Sequence, residues 1–164
     1  SLNDLEERIS SYTGNCAEKL RSQKSCCNSL LIFIASDPFK LKSKYCKNST
    51  IINLPFATDS SIILNKFALK ALHEIYQKDI GYKKAGIILL NLKPNRSKQL
   101  NLFNNKINRD ENLMDVIDKM NMKFNNKIKL ATQDLNETWK MKQENLSKRY
   151  TTKLDEIITV QNKK

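Results

Sequence analysis

Four cysteines, at positions 16, 26, 27 and 46, and one histidine, His73, are the residues best suited to hold a metal or attack a substrate. Their spacing supports neither. There is no Cys-x-x-Cys, and neighbours in a strand such as Cys26 and Cys27 face opposite sides, so they cannot share one ligand cage. His73 falls inside a predicted helix with no serine or cysteine partner near it in sequence. Asp155-Glu156 resembles half of a two-metal carboxylate site, but no further carboxylates stand at a readable spacing to complete it. Three glycines in 164 residues leave nothing from which to build a phosphate-cradling loop. The expectation is a binding module: no catalytic residue, no metal ligand, no cofactor, and cysteines used as small apolar residues in a reducing compartment.

Binding chemistry is better represented. The net charge is +12 and the pI about 9.6, which suggests a polyanionic partner, most often nucleic acid. Up to Phe103 there are 16 basic against 8 acidic residues. Lys24, Lys40, Lys42, Lys44, Lys83 and Lys84 are the lysines expected to meet nucleic acid, taken as a group, and the family likeness given below implies that this nucleic acid is DNA. The second signal is Gln99-Leu100-Asn101-Leu102-Phe103, apolar residues in an otherwise polar connector. Leu102 and Phe103 suit adjacent anchors in a preformed apolar pocket, Leu100 a shallower contact, and the Gln99 amide a hydrogen-bonding rim. The stretch looks like the pentapeptide with which bacterial polymerases and repair proteins hold the sliding clamp. A short strand or a tether docked on its own domain is the competing reading.

The elements that position these residues follow from periodicity. Asn3 to Glu6 forms a capping box. Leu5, Ile9, Tyr12, Cys16 and Leu20 then mark one face of a helix over 4–22. Residues 25–36, "SCCNSLLIFIAS", predict a strand buried on both faces and ended by Asp37-Pro38, and 39–47 a lysine-rich loop. A strand at 50–54 is expected to stop at Pro55. A helix capped near Thr58-Asp59-Ser60 follows, with Gly81 as its C-terminal cap. A third strand covers 82–92. Two helices then cover one face of a small sheet, leaving the other face open between lysines. Beyond the connector, Asp110 caps a helix whose face is Leu113, Ile117, Met120 and Phe124. A short strand near Ile128 and Leu130 is expected next. At about 50 residues the last unit is small for an independent core. No apolar run is long enough to cross a bilayer and no signal peptide is evident, so a cytoplasmic location without membrane contact is expected. The chain starts at Ser1 rather than Met and reads as a piece of something longer.

Sequence stretches along the whole chain carry a family likeness. They are Ala17-Glu-Lys-Leu-Arg21, "SDPF" at 36–39, "KNST" at 47–50, "YKKAGIILL" at 82–90, "QLNLF" at 99–103 and "WKMKQENLSKRYTT" at 139–152. On these the chain resembles the C-terminal part of the UmuC family, catalytic subunits of the bacterial error-prone polymerase V. The resemblance implies an α+β fold, a little-finger-like small sheet covered on one face by two helices, plus a small C-terminal α/β-mixed unit. It implies a DNA-binding domain over 1–93, a linker with the clamp motif over 94–109, and a C-terminal domain over 110–164. Trp139, Met141, Arg149, Tyr150, Thr151 and Thr152 carry the signature of that last domain, Trp139 and Met141 being expected in its core and Arg149 at a contact.

By the same resemblance the full-length protein copies damaged template in the SOS response. Its partners are DNA, the sliding clamp (the polymerase III beta subunit), the processed UmuD dimer and RecA. The palm and its metal-binding carboxylates, with their Mg2+, would lie ahead of Ser1, so this piece is expected not to polymerise. The family's first little-finger strand is missing here, which predicts an irregular sheet edge or intermolecular strand pairing. Where relatives are often basic this chain has Asn28, so no single DNA contact is assigned on that strand. A stand-alone basic nucleic-acid adaptor and a pure protein-interaction module remain the alternatives.

Overall fold

The computed structural model describes residues 1–39, 45–95, 107–124, 128–133 and 144–158. Helix α1 spans Leu2–Ser22. Its capping box is Ser1 with Asp4, not Asn3 with Glu6: Ser1 Oγ accepts from the Asp4 amide at 3.4 Å, and the Asp4 carboxylate accepts from the Ser1 amine at 2.6 Å. Its buried row is Leu5, Ile9, Thr13, Ala17 and Leu20 rather than the row through Tyr12 and Cys16; Tyr12 is exposed and Cys16 only half-buried. The face turns because Thr13 Oγ1 donates to the Ile9 carbonyl at 2.6 Å. A hydroxyl satisfied within its own helix can be buried, and Thr13 with Ala17 then allows close packing.

Strands β1 (Ser25–Ser36) and β2 (Lys47–Thr58), helix α2 (Ser61–Ile75) and strand β3 (Tyr82–Pro94) follow in the expected order. The antiparallel sheet has the order β2-β1-β3, three strands among the described residues. Both helices lie on one face of it, so the arrangement is α+β as the sequence suggested. Their core joins Ile9 and Leu20, Leu30, Ile32 and Ile34 of the central strand, and Leu64 and Leu72 of α2. Burying each such aliphatic side chain contributes about 2 kcal/mol.

Further expectations fail between β2 and residues 128–133. β2 does not stop at Pro55 but runs on to Thr58. It is an edge strand, and its register slips between Cys27 opposite Thr58 and Ser29 opposite Asn53; a proline without a donor is tolerated at such a bulge. Gly81 is not a helix cap, since α2 ends at Ile75 and Tyr76 is already extended. Residues 128–133 form a turn instead of a strand.

Helix α3 spans Ile107–Phe124. It begins ahead of Asp110, which therefore lies inside it. It docks on the helical layer of the first unit, with Met114 fully buried and Ile117 half-buried. Of the anticipated face only Ile117 lies on the docked side; Leu113, Met120 and Phe124 are exposed. Beside α3, Asn121 exchanges two hydrogen bonds with Ile128, and Asn65 of α2 donates to Thr132 Oγ1 at 2.9 Å. The last described segment, 144–158, holds a single 3-10 turn at Leu154–Glu156.

Candidate nucleic-acid and partner interface

Register decides which sheet residues face away from the helices. Leu30, Ile32 and Ile34 point into the core, so by alternation Ser29, Leu31, Phe33 and Ala35 share the opposite face. Across the ladders, Leu31 stands between Ile51 and Ile88, and Phe33 between Ser49 and Gly86. Ile51 and Ile88 are about half exposed. A Cβ built on Gly86 would lie 2.4 Å from Phe33 Cζ, so the Phe33 ring lies against a backbone bare of side chain. At one end of this face Ser29 Oγ donates to Asn53 Oδ1 at 2.8 Å and accepts from Asn91 Nδ2 at 2.9 Å. Asn91 adopts a φ of 53°, a backbone conformation that asparagine tolerates better than most residues. At the other end Ala35 is flanked by Lys47 on β2 and Lys84 on β3, both exposed. Two strand spacings put these lysine backbones about 10 Å apart.

The lysines named from sequence are not one cluster. Lys84 lies on the open face. Lys83, its neighbour, donates to Asp37 Oδ2 at 2.7 Å. Lys24 occupies the turn between α1 and β1 with a φ of 53°, and its carbonyl accepts from the Asn95 amide at 2.8 Å. That turn is at the opposite end of β1, about 33 Å from the Lys84 level at 3.3 Å per residue. Lys40, Lys42 and Lys44 lie outside the described residues. So do Gln99, Leu100, Asn101, Leu102 and Phe103, and Trp139 and Met141. Lys47, Phe33, Ile51 and Ile88 were not singled out as site residues; the signal for them was the alternation within β1, unreadable until register fixed which side was inward.

Arg149, Tyr150, Thr151 and Thr152 are exposed. They form a turn in which the amides of Thr152 and Lys153 donate to the Arg149 carbonyl, and the Arg149 amide donates to Glu156 Oε2 at 2.5 Å.

The cysteines behave as packing residues. Cys26 and Cys27 are fully buried, and all four are free thiols. Burial foremost, with Cys26 and Asp59 nearby, pushes the Cys27 thiol up to about 12; burial also raises Cys16. Among the described residues no three His, Cys, Asp or Glu side chains are placed to hold a metal, and no helix is long and apolar enough to cross a membrane.

A basic α+β module with one sheet face roofed by helices and the other open, carrying a helical extension on its roof, is the class these features define. Residues 1–102 match the impB/mucB/samB family C-terminal domain, and the chain belongs to that family. Residues 111–160 match a domain of unknown function, DUF4113. The chain is 32% identical to protein UmuC of Salmonella typhimurium over 160 residues, 96% of this chain and 38% of that protein. It is 30% identical to ImpB of the same organism, over 93% of this chain and 37% of the relative. For Escherichia coli MucB the identity is 31%, over 93% and 36%. The chain thus spans little more than a third of these relatives, and it matches the C-terminal part of UmuC-type proteins.

Proposed function

We propose that this chain is the DNA-gripping and clamp-binding C-terminal region of an error-prone translesion polymerase of the SOS response. The observation that carries the reading is the family match of residues 1–102, on a fold whose open sheet face bears Lys47 and Lys84. Lysines at the margin of an open sheet suit phosphate contacts, which position a duplex without reading its sequence. Phe33, Ile51 and Ile88 supply apolar contact between them. Gln99 to Phe103 is the clamp-binding peptide, with Leu102 and Phe103 as anchors. The chain itself supplies grip and attachment and no nucleotidyl transfer; the metal-binding carboxylates and their Mg2+ belong to another part of the protein. Processed UmuD and RecA are further partners in this reading.

The test is direct binding of the chain to its cognate sliding clamp, beside the Leu102→Ala/Phe103→Ala variant. Binding by the first and not the second supports the reading. Equal binding by both removes the pentapeptide as the anchor. Binding by neither withdraws the clamp role of Gln99 to Phe103.

A further inference from the structure

Helix α3 carries apolar side chains on two faces. At 100° per residue, Met114, Ile117 and Asn121 fall on one side, with Asp118 at its margin; this side meets α1. Leu113, Val116, Met120 and Phe124 fall on an adjacent stripe about 17 Å long at 1.5 Å per residue. These four side chains are between 41% and 52% exposed. One border of the stripe is the docked seam. The other border is Lys119 and Lys123, both exposed, with Lys123 Nζ 5.7 Å from the Phe124 ring centroid. The acidic Asp115 lies one turn before Lys119, beyond the lysine border and away from the apolar stripe.

We propose that this stripe is a docking site for an acidic amphipathic segment of a partner protein. Apolar side chains at the partner's helical spacing would cover Leu113, Val116, Met120 and Phe124, and its carboxylates would meet Lys119 and Lys123. The charge selects the occupant. In an antiparallel two-fold pair of α3 helices each border meets its own copy, which sets Lys119 and Lys123 against the same lysines and disfavours that pairing of two copies. The Arg21–Asp118 pair anchors α3 to the first unit, so the stripe is presented on a helix already formed in the free chain.

The probe is a labelled synthetic peptide of three to four helical turns, with leucines on one face and glutamates beside them. The control has the same composition, shuffled to destroy the apolar face. Binding to the full chain is read by fluorescence anisotropy and located by amide chemical shifts. The patterned peptide is expected to bind at least tenfold more tightly than the shuffled one and to shift the α3 amides. Val116→Ser/Met120→Ser should lower its affinity at least tenfold. Lys119→Glu/Lys123→Glu should do the same while favouring a lysine-flanked version of the peptide. All four residues are exposed, so both variants should keep the fold, checked by unchanged amide exchange in β1. Equal binding of the two peptides, or indifference to both variants, overturns the proposal. So does a dimer seen by sedimentation that Val116→Ser/Met120→Ser abolishes, which would make a second copy the occupant. Shifts of the stripe amides by a DNA duplex and not by the peptide also overturn it.

Discussion

Arg21 and Asp118, 97 positions apart, meet as a two-pronged ion pair, Nε to Oδ2 at 2.5 Å and Nη2 to Oδ1 at 2.7 Å. The same guanidinium donates through Nη1 to the Asp59 carbonyl at 2.8 Å and to Ser61 Oγ at 3.0 Å. Asp59 in turn accepts from Asn95 Nδ2 at 3.0 Å. One side chain at the end of α1 therefore ties the start of α2 to α3, and the acceptor it holds also fixes the end of β3. The two family-model regions, 1–102 and 111–160, meet at this node.

Asp118→Ala should undock α3. It strips a nearly buried guanidinium of its charge partner, a loss of about 3 kcal/mol for pairs removed from water. Amide exchange in α3 should then accelerate by about tenfold or more, while exchange in β1 changes far less. Equal acceleration in both elements would mean that α3 is integral to the core and not a docked layer.

Much of this fold was legible because its long elements carry clean periods: the presence of α1, the apolar run of β1, the capping cluster Thr58-Asp59-Ser60 ahead of α2 and the start of β3. The failures come from contacts that the apolar pattern alone does not show, some within one helix and some between distant elements. Thr13 reads as a surface residue until its hydroxyl is seen bonded to Ile9. Pro55 reads as a strand stop until β2 is seen to be an edge. α3 has two apolar faces, and only the position of α1 says which is covered. For the site, the pentapeptide Gln99 to Phe103 lies outside the described residues. The open face itself was anticipated, but not the residues it carries, because β1 is apolar on both sides and only its pairing with Lys47 and Lys84 shows which margin is basic.

Gly86 is small because Phe33 crosses it. Gly86→Ala should displace the ring and cost about 1 kcal/mol, as overpacking does. In a Phe33→Leu background the same substitution should be nearly neutral. A double-mutant cycle by urea denaturation measures the coupling; additive effects would show that the ring moves aside without cost.

The raised Cys27 thiol makes stability fall at high pH. Above pH 9 the unfolded chain loses this proton and the folded chain keeps it until about 12. The folded state then binds more protons, so unfolding free energy declines from about pH 9 to 12 and is unaffected below 9 on this account. Burial raises Tyr82 as well, with the same sign. Denaturation between pH 8 and 11 should show a shallower decline for Cys27→Ala than for the parent chain. At pH 8, a thiol reagent should modify the half-buried Cys46 well before Cys26 or Cys27.

On the DNA-gripping reading, Lys84 and Lys83 should differ although they are adjacent. Lys84 is exposed on the open face opposite Ala35 and pairs with no carboxylate among the described residues, whereas Lys83 is held by Asp37 at 2.7 Å. A lysine that neutralises one phosphate steepens the dependence of log K on log salt by about 0.9. Lys84→Ala and Lys47→Ala should therefore each flatten the slope for duplex DNA by nearly one unit. Lys83→Ala should flatten it by less than half of that, because its charge is already compensated. Asp37→Asn should do the opposite of a lysine deletion, freeing Lys83 and strengthening binding at low salt. Anisotropy titrations from 50 to 200 mM salt measure all four slopes. Equal effects at Lys83 and Lys84 would mean the Asp37 pair opens on the duplex, and no effect at Lys47 and Lys84 would place the grip elsewhere than on the open sheet face.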